Sequence, residues 1–209
     1  MSAPGETFVG PRGETRLRHT EFVFPVVVGT CAFYLGKKAT ETQSHKWYLY
    51  LRGLNNEDIG HIVKKAVFNL HPTFPNPQRE VTAPPFEIEE HGWGEFEVNV
   101  VLHFADDSQE QPIEIYHKLK LYDEADPNNP SAKKPVLNEQ YEELIFSEPV
   151  QSFFNRVTNY RPGQVHNPSG ITAHFRHYAP DEDMQRLTAA RQRVAVMSAS
   201  VHRQAEMLA

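Results

Sequence analysis

With 209 residues, 39% of them hydrophobic and 11% aromatic, the chain is long enough for one main domain and an appendage around an ordinary core. A formal net charge of −6 speaks against nucleic acid as the main partner and for a basic one, such as a lysine-rich tail. The single cysteine, Cys31, excludes a disulfide framework and a cysteine-rich zinc site and fits a reducing compartment, and no run approaches the roughly 18 apolar residues of a membrane span.

In chain order, residues 1–20 are polar, lack the apolar stretch of a signal peptide and read as a flexible arm. Next come runs rich in Val, Ile, Phe, Tyr and Trp, broken by Gly, Pro and Asn. The first strand is predicted over 26–35. The second, 46–51, places Trp47, Leu49 and Leu51 on one face, and the third, 62–70, does the same with Ala66, Phe68 and Leu70. Residues 86–89 alternate apolar and acidic. From Phe96 the alternation runs through Val98, Val100 and Leu102 to Phe104, and strands at 113–121 and 142–146 complete the set. Seven or eight short strands separated by turn signals predict an antiparallel sandwich over 21–150. Residues 151–180 hold Pro162, Gly163, Pro168, Gly170 and Pro180 among polar residues and read as a linker. Residues 181–209 are helical in pattern. Asp181 or Asp183 offers a cap, and Leu187, Ala190, Val194, Met197, Val201 and Leu208 keep a spacing near 3.5, the seam of a short coiled coil or the buried face of a lone helix.

Two clusters carry the chemistry. His71, Pro72, Thr73 and Phe74 end the third strand. Pro72 holds His71 extended, and Pro75, Pro77, Pro84 and Pro85 stiffen the loop beyond Phe74, which lowers the ordering cost of binding. Gly92 and Gly94 flank Trp93, with Phe96 two residues on, so the backbone there can approach a ligand while the indole presents a flat face. Either cluster alone also reads as structure: a proline-rich connector anchored by Phe74, or a core plug. Together they suit a planar, neutral amide, held between Phe74 and Trp93, accepted by the Thr73 hydroxyl and bonded by a backbone N–H near Trp93. Neither cluster offers a buried carboxylate, so a bare ammonium is disfavoured by several kcal/mol or more.

The ordered set of Gly36-Lys37-Lys38, His45-Lys46-Trp47, Leu70 through Phe74, Asn76-Pro77, Pro84-Pro85-Phe86, Gly92 through Phe96, Tyr116-His117, Leu119-Lys120-Leu121, Tyr141-Glu142 and Ile145-Phe146 resembles the YEATS domain family, readers of acylated lysine on histone tails. The match covers about 22–148, and the Trp form of the second cluster is similar to the branch found in histone-exchange and acetyltransferase complexes. The resemblance implies an immunoglobulin-like all-β sandwich with a loop-built pocket at one end and a C-terminal helix for assembly. It implies that Phe74 and Trp93 sandwich the acyl group and that Thr73 bonds its amide. The Trp93 backbone takes the acyl oxygen, with Gly92 and Gly94 allowing the approach. His71 orients the cage and Phe96 lines its back. Relatives usually carry an aromatic or histidine where this chain has Gln43, so that wall is weaker here or is supplied by His45. The implied partners are an acetylated or crotonylated histone tail, that of histone H3 in particular, and the subunits of a chromatin complex in the nucleus. No cofactor, no metal, no membrane and no sequence-specific nucleic acid is implied.

Three other classes stay open on the residues alone. An enzyme lacks support: the eleven histidines form no HExxH-like set, and the adjacent Ser44 and His45 have no oxyanion-type glycine motif. A methyl-lysine reader would use the rings by cation–π attraction but leave Thr73 idle. A ligand-free scaffold would act through the C-terminal helix. Glu87, Glu89, Glu90 and Glu95 read either as a solvated face or as a collar steering a basic peptide.

Overall fold

The computed structural model describes residues 6–123, 126, 130, 134–178 and 180–207, the side chains of 180–183, 199 and 201–207 lying outside the description. In order come strands β1 (Thr7–Val9), β2 (Thr15–Leu17), β3 (Glu21–Tyr34), β4 (His45–Gly53), β5 (Val63–Asn69), β6 (Gln78–Val81), β7 (Phe86–Gly92), β8 (Glu97–Phe104), β9 (Ile113–Lys118) and β10 (Val136–Ser147), then helices α1 (Gln151–Asn159) and α2 (Pro180–Met207). The chain divides into two units, Met1–Arg176 and His177–Ala209.

In the first unit two four-stranded antiparallel sheets, ordered β10-β3-β4-β7 and β6-β5-β8-β9, enclose the core, as the period-2 patterns predict. Alternation decides which side chains meet: Val98, Val100, Leu102 and Phe104 of β8, alongside Phe68 of the neighbouring β5, point inward toward Trp47, Leu49 and Leu51 of β4 in the opposing sheet. Fully burying each such side chain stabilises by about 1.5–3 kcal/mol.

Two expectations fail here. Residues 1–20 are not simply an arm, because β1 and β2 form a hairpin and Arg16 ties it down, reaching Glu14, Glu110 and the carbonyl of Glu148. Residues 151–180 are not simply a linker. Helix α1 drives Phe153 and Val157 into the core, with Phe153 edging Phe22 and lying 5.1 Å from Phe146. Beyond it, Ile171 and Phe175 cover Cys31, Tyr48 and Tyr50 on the outer face of the β10-β3-β4-β7 sheet. The prolines and glycines of this stretch mark irregular backbone, and irregular backbone can still be anchored by a few apolar side chains. A buried ion pair locks the strap. Arg52 donates to Glu139 at 2.9 Å with side chains 4% and 0% exposed, Arg52 also donates to the Arg176 carbonyl, and the Arg176 N–H returns a bond to Glu139.

The His117 ring is enclosed between the sheets, and neither ring nitrogen has a hydrogen-bond partner among the described residues. Burial pushes its pKa below the usual 6.5, outweighing the opposing charge of Glu139. The buried His45 and half-buried His61 are lowered for the same first reason. The unfolded chain therefore takes up protons at a higher pH than the folded one. Stability is present in full above about pH 6.5 and falls as the pH drops from there toward the lowered folded values. Thermal unfolding should show the midpoint declining from pH 7.5 to 5.5, and His117→Asn should flatten that decline; an unchanged slope in the variant would remove His117 from the explanation.

Candidate functional site

Two loops meet at one end of the sandwich. The first spans 71–77 between β5 and β6. It is closed at its base by Leu70 N–H bonding the Pro77 carbonyl at 2.8 Å and turned at its tip by Phe74 N–H bonding the His71 carbonyl at 3.0 Å. Asn76 takes the left-handed conformation that completes the turn, φ 49°, which Asn tolerates better than most residues. The second loop comes directly after β7. Because β4 pairs with β7 so that His45 lies opposite Gly92, the end of β7 is delivered to the start of β4, beside Trp47.

Gly92 lies where the two loops meet. A β-carbon there would stand 3.4 Å from Trp47 Nε1 and 3.7 Å from Phe74 Cζ, ordinary contact distances that place Gly92 close beside both rings. Phe74 is half-buried, edge-on to Trp47 (5.9 Å, 84°) and tilted against Phe96 (5.6 Å), and Phe96 in turn packs on Trp47 and His71. Trp93, one residue past Gly92, keeps 61% of its surface exposed. The structure thus joins His71, Thr73, Phe74, Gly92, Trp93, Gly94 and Phe96 at one end of the fold. One ring is rigidly backed, one indole stands free, and Trp47 forms a fully buried floor.

The polar atoms are equally specific. Thr73 Oγ1 lies 2.9 Å from His71 Nδ1, and the Thr73 backbone N–H also points at that nitrogen, at 3.4 Å. In the tautomer with the ring proton on Nε2, the one the Thr73 N–H contact favours, Nδ1 accepts and the Thr73 hydroxyl donates to it. The lone pairs of Oγ1 are left to accept from a third group.

Three features differ from the sequence expectations. His45 does not supply an open aromatic wall. It is 1% exposed, packed between Tyr34 (5.3 Å) and Tyr122 (5.0 Å), with Ser44 Oγ 2.8 Å from its Nδ1 and no hydrogen-bond partner for its Nε2 among the described residues. It supports the site from behind, and Tyr122, half-buried, with its hydroxyl donating to the Trp93 carbonyl at 3.4 Å, is the ring on that side. Gln43 is exposed and occupied with its loop, its N–H bonding Thr40 Oγ1 and its carbonyl accepting from the Thr40 N–H. The acids are not a free collar: Glu87 accepts from Asn167 and Ser169, Glu89 pairs with Lys46, Glu90 with Arg79, and Glu95 accepts from the N–H groups of Leu121 and Tyr122.

A family model described as the YEATS family matches residues 42–123, which include both loops. Transcription initiation factor TFIID subunit 14b of Arabidopsis thaliana is 39% identical to the chain, over 93% of this chain and 82% of that one. The chain belongs to the YEATS family. Among other YEATS relatives, the AF-9 homolog of Saccharomyces cerevisiae is 33% identical over 75% of this chain and 76% of its own. The solved Yaf9 YEATS domain bound to H3K27ac superposes with a TM-score of 0.61 at 35% identity, covering 69% of this chain and 99% of that one. The Yaf9 YEATS domain recognizing an H3K122suc peptide gives 0.59 at 34% identity over the same share of this chain.

Proposed function

We propose that this YEATS protein reads acylated lysine, acetyl or crotonyl, on a histone tail, that of histone H3 in particular. It acts in the nucleus as a non-catalytic subunit of a chromatin-remodelling or acetyltransferase complex. The acyl group enters between Phe74 and Trp93. Its amide N–H donates to Thr73 Oγ1 and its oxygen accepts from the Trp93 backbone; Gly92 and Gly94 permit the approach, and His71 and Phe96 hold the cage. The observation that carries this reading is the Thr73 hydroxyl, 2.9 Å from His71 Nδ1 and adjacent in sequence to Phe74: when it donates to that nitrogen, its lone pairs remain to accept from a ligand. An acylated lysine offers that acceptor an amide N–H and offers the rings a neutral plane, whereas a trimethylammonium has no N–H to give. A bare ammonium would enter without a carboxylate partner and at a desolvation cost of several kcal/mol. The solved Yaf9 domains bound to acylated H3 peptides support the same choice of ligand.

Helix α2 is the proposed contact with the rest of the complex. Its described side chains from Met184 to Ser198 are all exposed, among them Met184, Leu187, Val194, Val196 and Met197. Asp181, Asp183, Val201 and Leu208 of the expected cap and seam lie outside the described side chains.

Titration with matched H3 peptides, unmodified, acetylated and trimethylated, tests the reading: acetyl-lysine should bind most tightly, and tighter trimethyl-lysine binding would make the site a methyl reader. Thr73→Val keeps the side-chain shape and removes the acceptor. It should weaken acetyl-peptide binding by about 1–2 kcal/mol, roughly 5- to 30-fold, through a lost hydrogen bond and an unsatisfied amide. Full affinity in Thr73→Val would exclude the hydroxyl as the amide acceptor.

A further inference from the structure

The two halves of the site come from different sheets. The loop carrying His71, Thr73 and Phe74 hangs from β5 and β6; Gly92 and Trp93 end β7 of the opposing sheet. Strand hydrogen bonds run within each sheet and do not join the two. The gap between the loops therefore has to be set by side chains, and a narrow cage tolerates little error in it.

Arg79, on β6, crosses that gap. Its Nη2 donates to Glu90 on β7, two residues before Gly92, and to the Pro75 carbonyl at 2.7 Å, while its Nε donates to the Asn76 carbonyl. One planar guanidinium thus ties the segment just after Phe74 to the segment just before Gly92. The sequence explains why a long-range donor is used. Pro75 and Pro77 have no N–H, so the loop is poor in donors of its own, and its carbonyls look outward for them. Arginine is the side chain whose fixed fork can serve a carboxylate and two carbonyls at once; lysine presents a point charge.

We infer that Arg79, paired with Glu90, is a positioning residue that holds the two halves of the acyl-lysine site at their working separation, an inference that rests on the reader function proposed above. Arg79 and Glu90 keep 29% and 21% of their side-chain surface, so water screens the pair and its share of global stability is small. Its effect falls on the order of the 73–76 backbone in the free protein. A loop already in its bound form loses less entropy on binding, and that difference appears in affinity.

The test uses the full chain, with Arg79→Gln, Arg79→Lys, Glu90→Gln and the Arg79→Gln/Glu90→Gln double variant. Amide hydrogen exchange of the ligand-free proteins, thermal midpoints and affinity for an acetylated H3 peptide are measured on each. In Arg79→Gln, exchange at Thr73, Phe74 and Asn76 should accelerate and affinity should fall by about tenfold, as expected when an ordered loop is released, with the thermal midpoint nearly unchanged. Arg79→Lys should recover only part of the loss. The double variant should be no worse than Arg79→Gln alone, because both changes break one unit. Wild-type exchange at 73–76 in Arg79→Gln, or wild-type affinity, overturns the inference, as do strictly additive effects of the two single changes. Should Arg79→Gln fail to fold, Glu90→Gln carries the same two readouts with the same meaning. A wild-type protein with no preference for the acetylated peptide overturns the reader function instead, and exchange in the ligand-free variants still decides whether Arg79 orders the loop.

Discussion

Trp93→Ala should weaken binding of an acetylated H3 peptide by about 1–3 kcal/mol, roughly 5- to 150-fold, the cost of removing one aromatic wall at the centre of a small site. The fold should barely notice. Trp93 keeps 61% of its surface in solvent, so its truncation forfeits little burial and opens no cavity in the core. That separation distinguishes it from Phe74, which packs against Trp47 and Phe96 and whose loss would strip support from both. Isothermal titration beside thermal unfolding reads the two effects apart. A folded Trp93→Ala protein with wild-type affinity would show that the exposed indole takes no part in recognition.

The largest effect on stability is expected at Arg52. Its guanidinium donates to Glu139, to the carbonyls of Gly53 and Leu54 and to that of Arg176, and it lies 4.6 Å from the Phe175 ring centre. Glu139 also accepts from Tyr50 and from the Arg176 N–H. Arg52→Met fills similar space but leaves the fully enclosed carboxylate of Glu139 without its cation, which costs about 3–5 kcal/mol. For a chain of this size that lowers the thermal midpoint by roughly 6–20 °C, taking about 2–4 °C per kcal/mol. The double variant Arg52→Met/Glu139→Leu removes the stranded charge and should regain much of the loss. Because the same pair grips Arg176, the single variant should also free the 171–176 strap to proteolysis ahead of global unfolding. An unchanged midpoint in Arg52→Met would mean that the pair does not hold the strap.

How much of the fold is legible in the sequence depends on how locally each element is determined. Strand β8 is plain, since one face is core and the other is not, and its alternation from Val98 to Phe104 survives intact. Strand β10 is predicted only over 142–146 but begins at Val136. Its first half reads as polar because Asn138, Glu139 and Gln140 are placed by distant partners, Lys118, Arg52 and Val28. The β1–β2 hairpin and the 171–176 strap escape the sequence for the same reason: each is held by a charged side chain, Arg16 or Arg52, whose partners are remote along the chain. Strand β6 hides in a proline-rich stretch whose composition signals only turns.

At the site, the residue types and the spacing of the two clusters point to a flat neutral ligand, and the resemblance supplies the roles. The supports stay invisible. Trp47 reads as one more core residue in an alternating strand, and only the packing reveals it beneath Phe74 and beside Gly92. Tyr122 lies past the end of a predicted strand with no motif to mark it, and His45 reads as a wall because burial cannot be seen in a single histidine.

The central claim is that the space between the 71–74 and 92–96 segments holds the acyl group. Nuclear magnetic resonance on the labelled protein, with a crotonylated H3 peptide added and the unmodified peptide as control, addresses it directly. The expected result is contact between the acyl protons and the rings of Phe74 and Trp93, with the largest shifts at Thr73, Phe74, Gly92 and Trp93 and none of comparable size from the unmodified peptide. Shifts centred on α2 or on the outer face of β10, or shifts at the cage that are equal for both peptides, would contradict it.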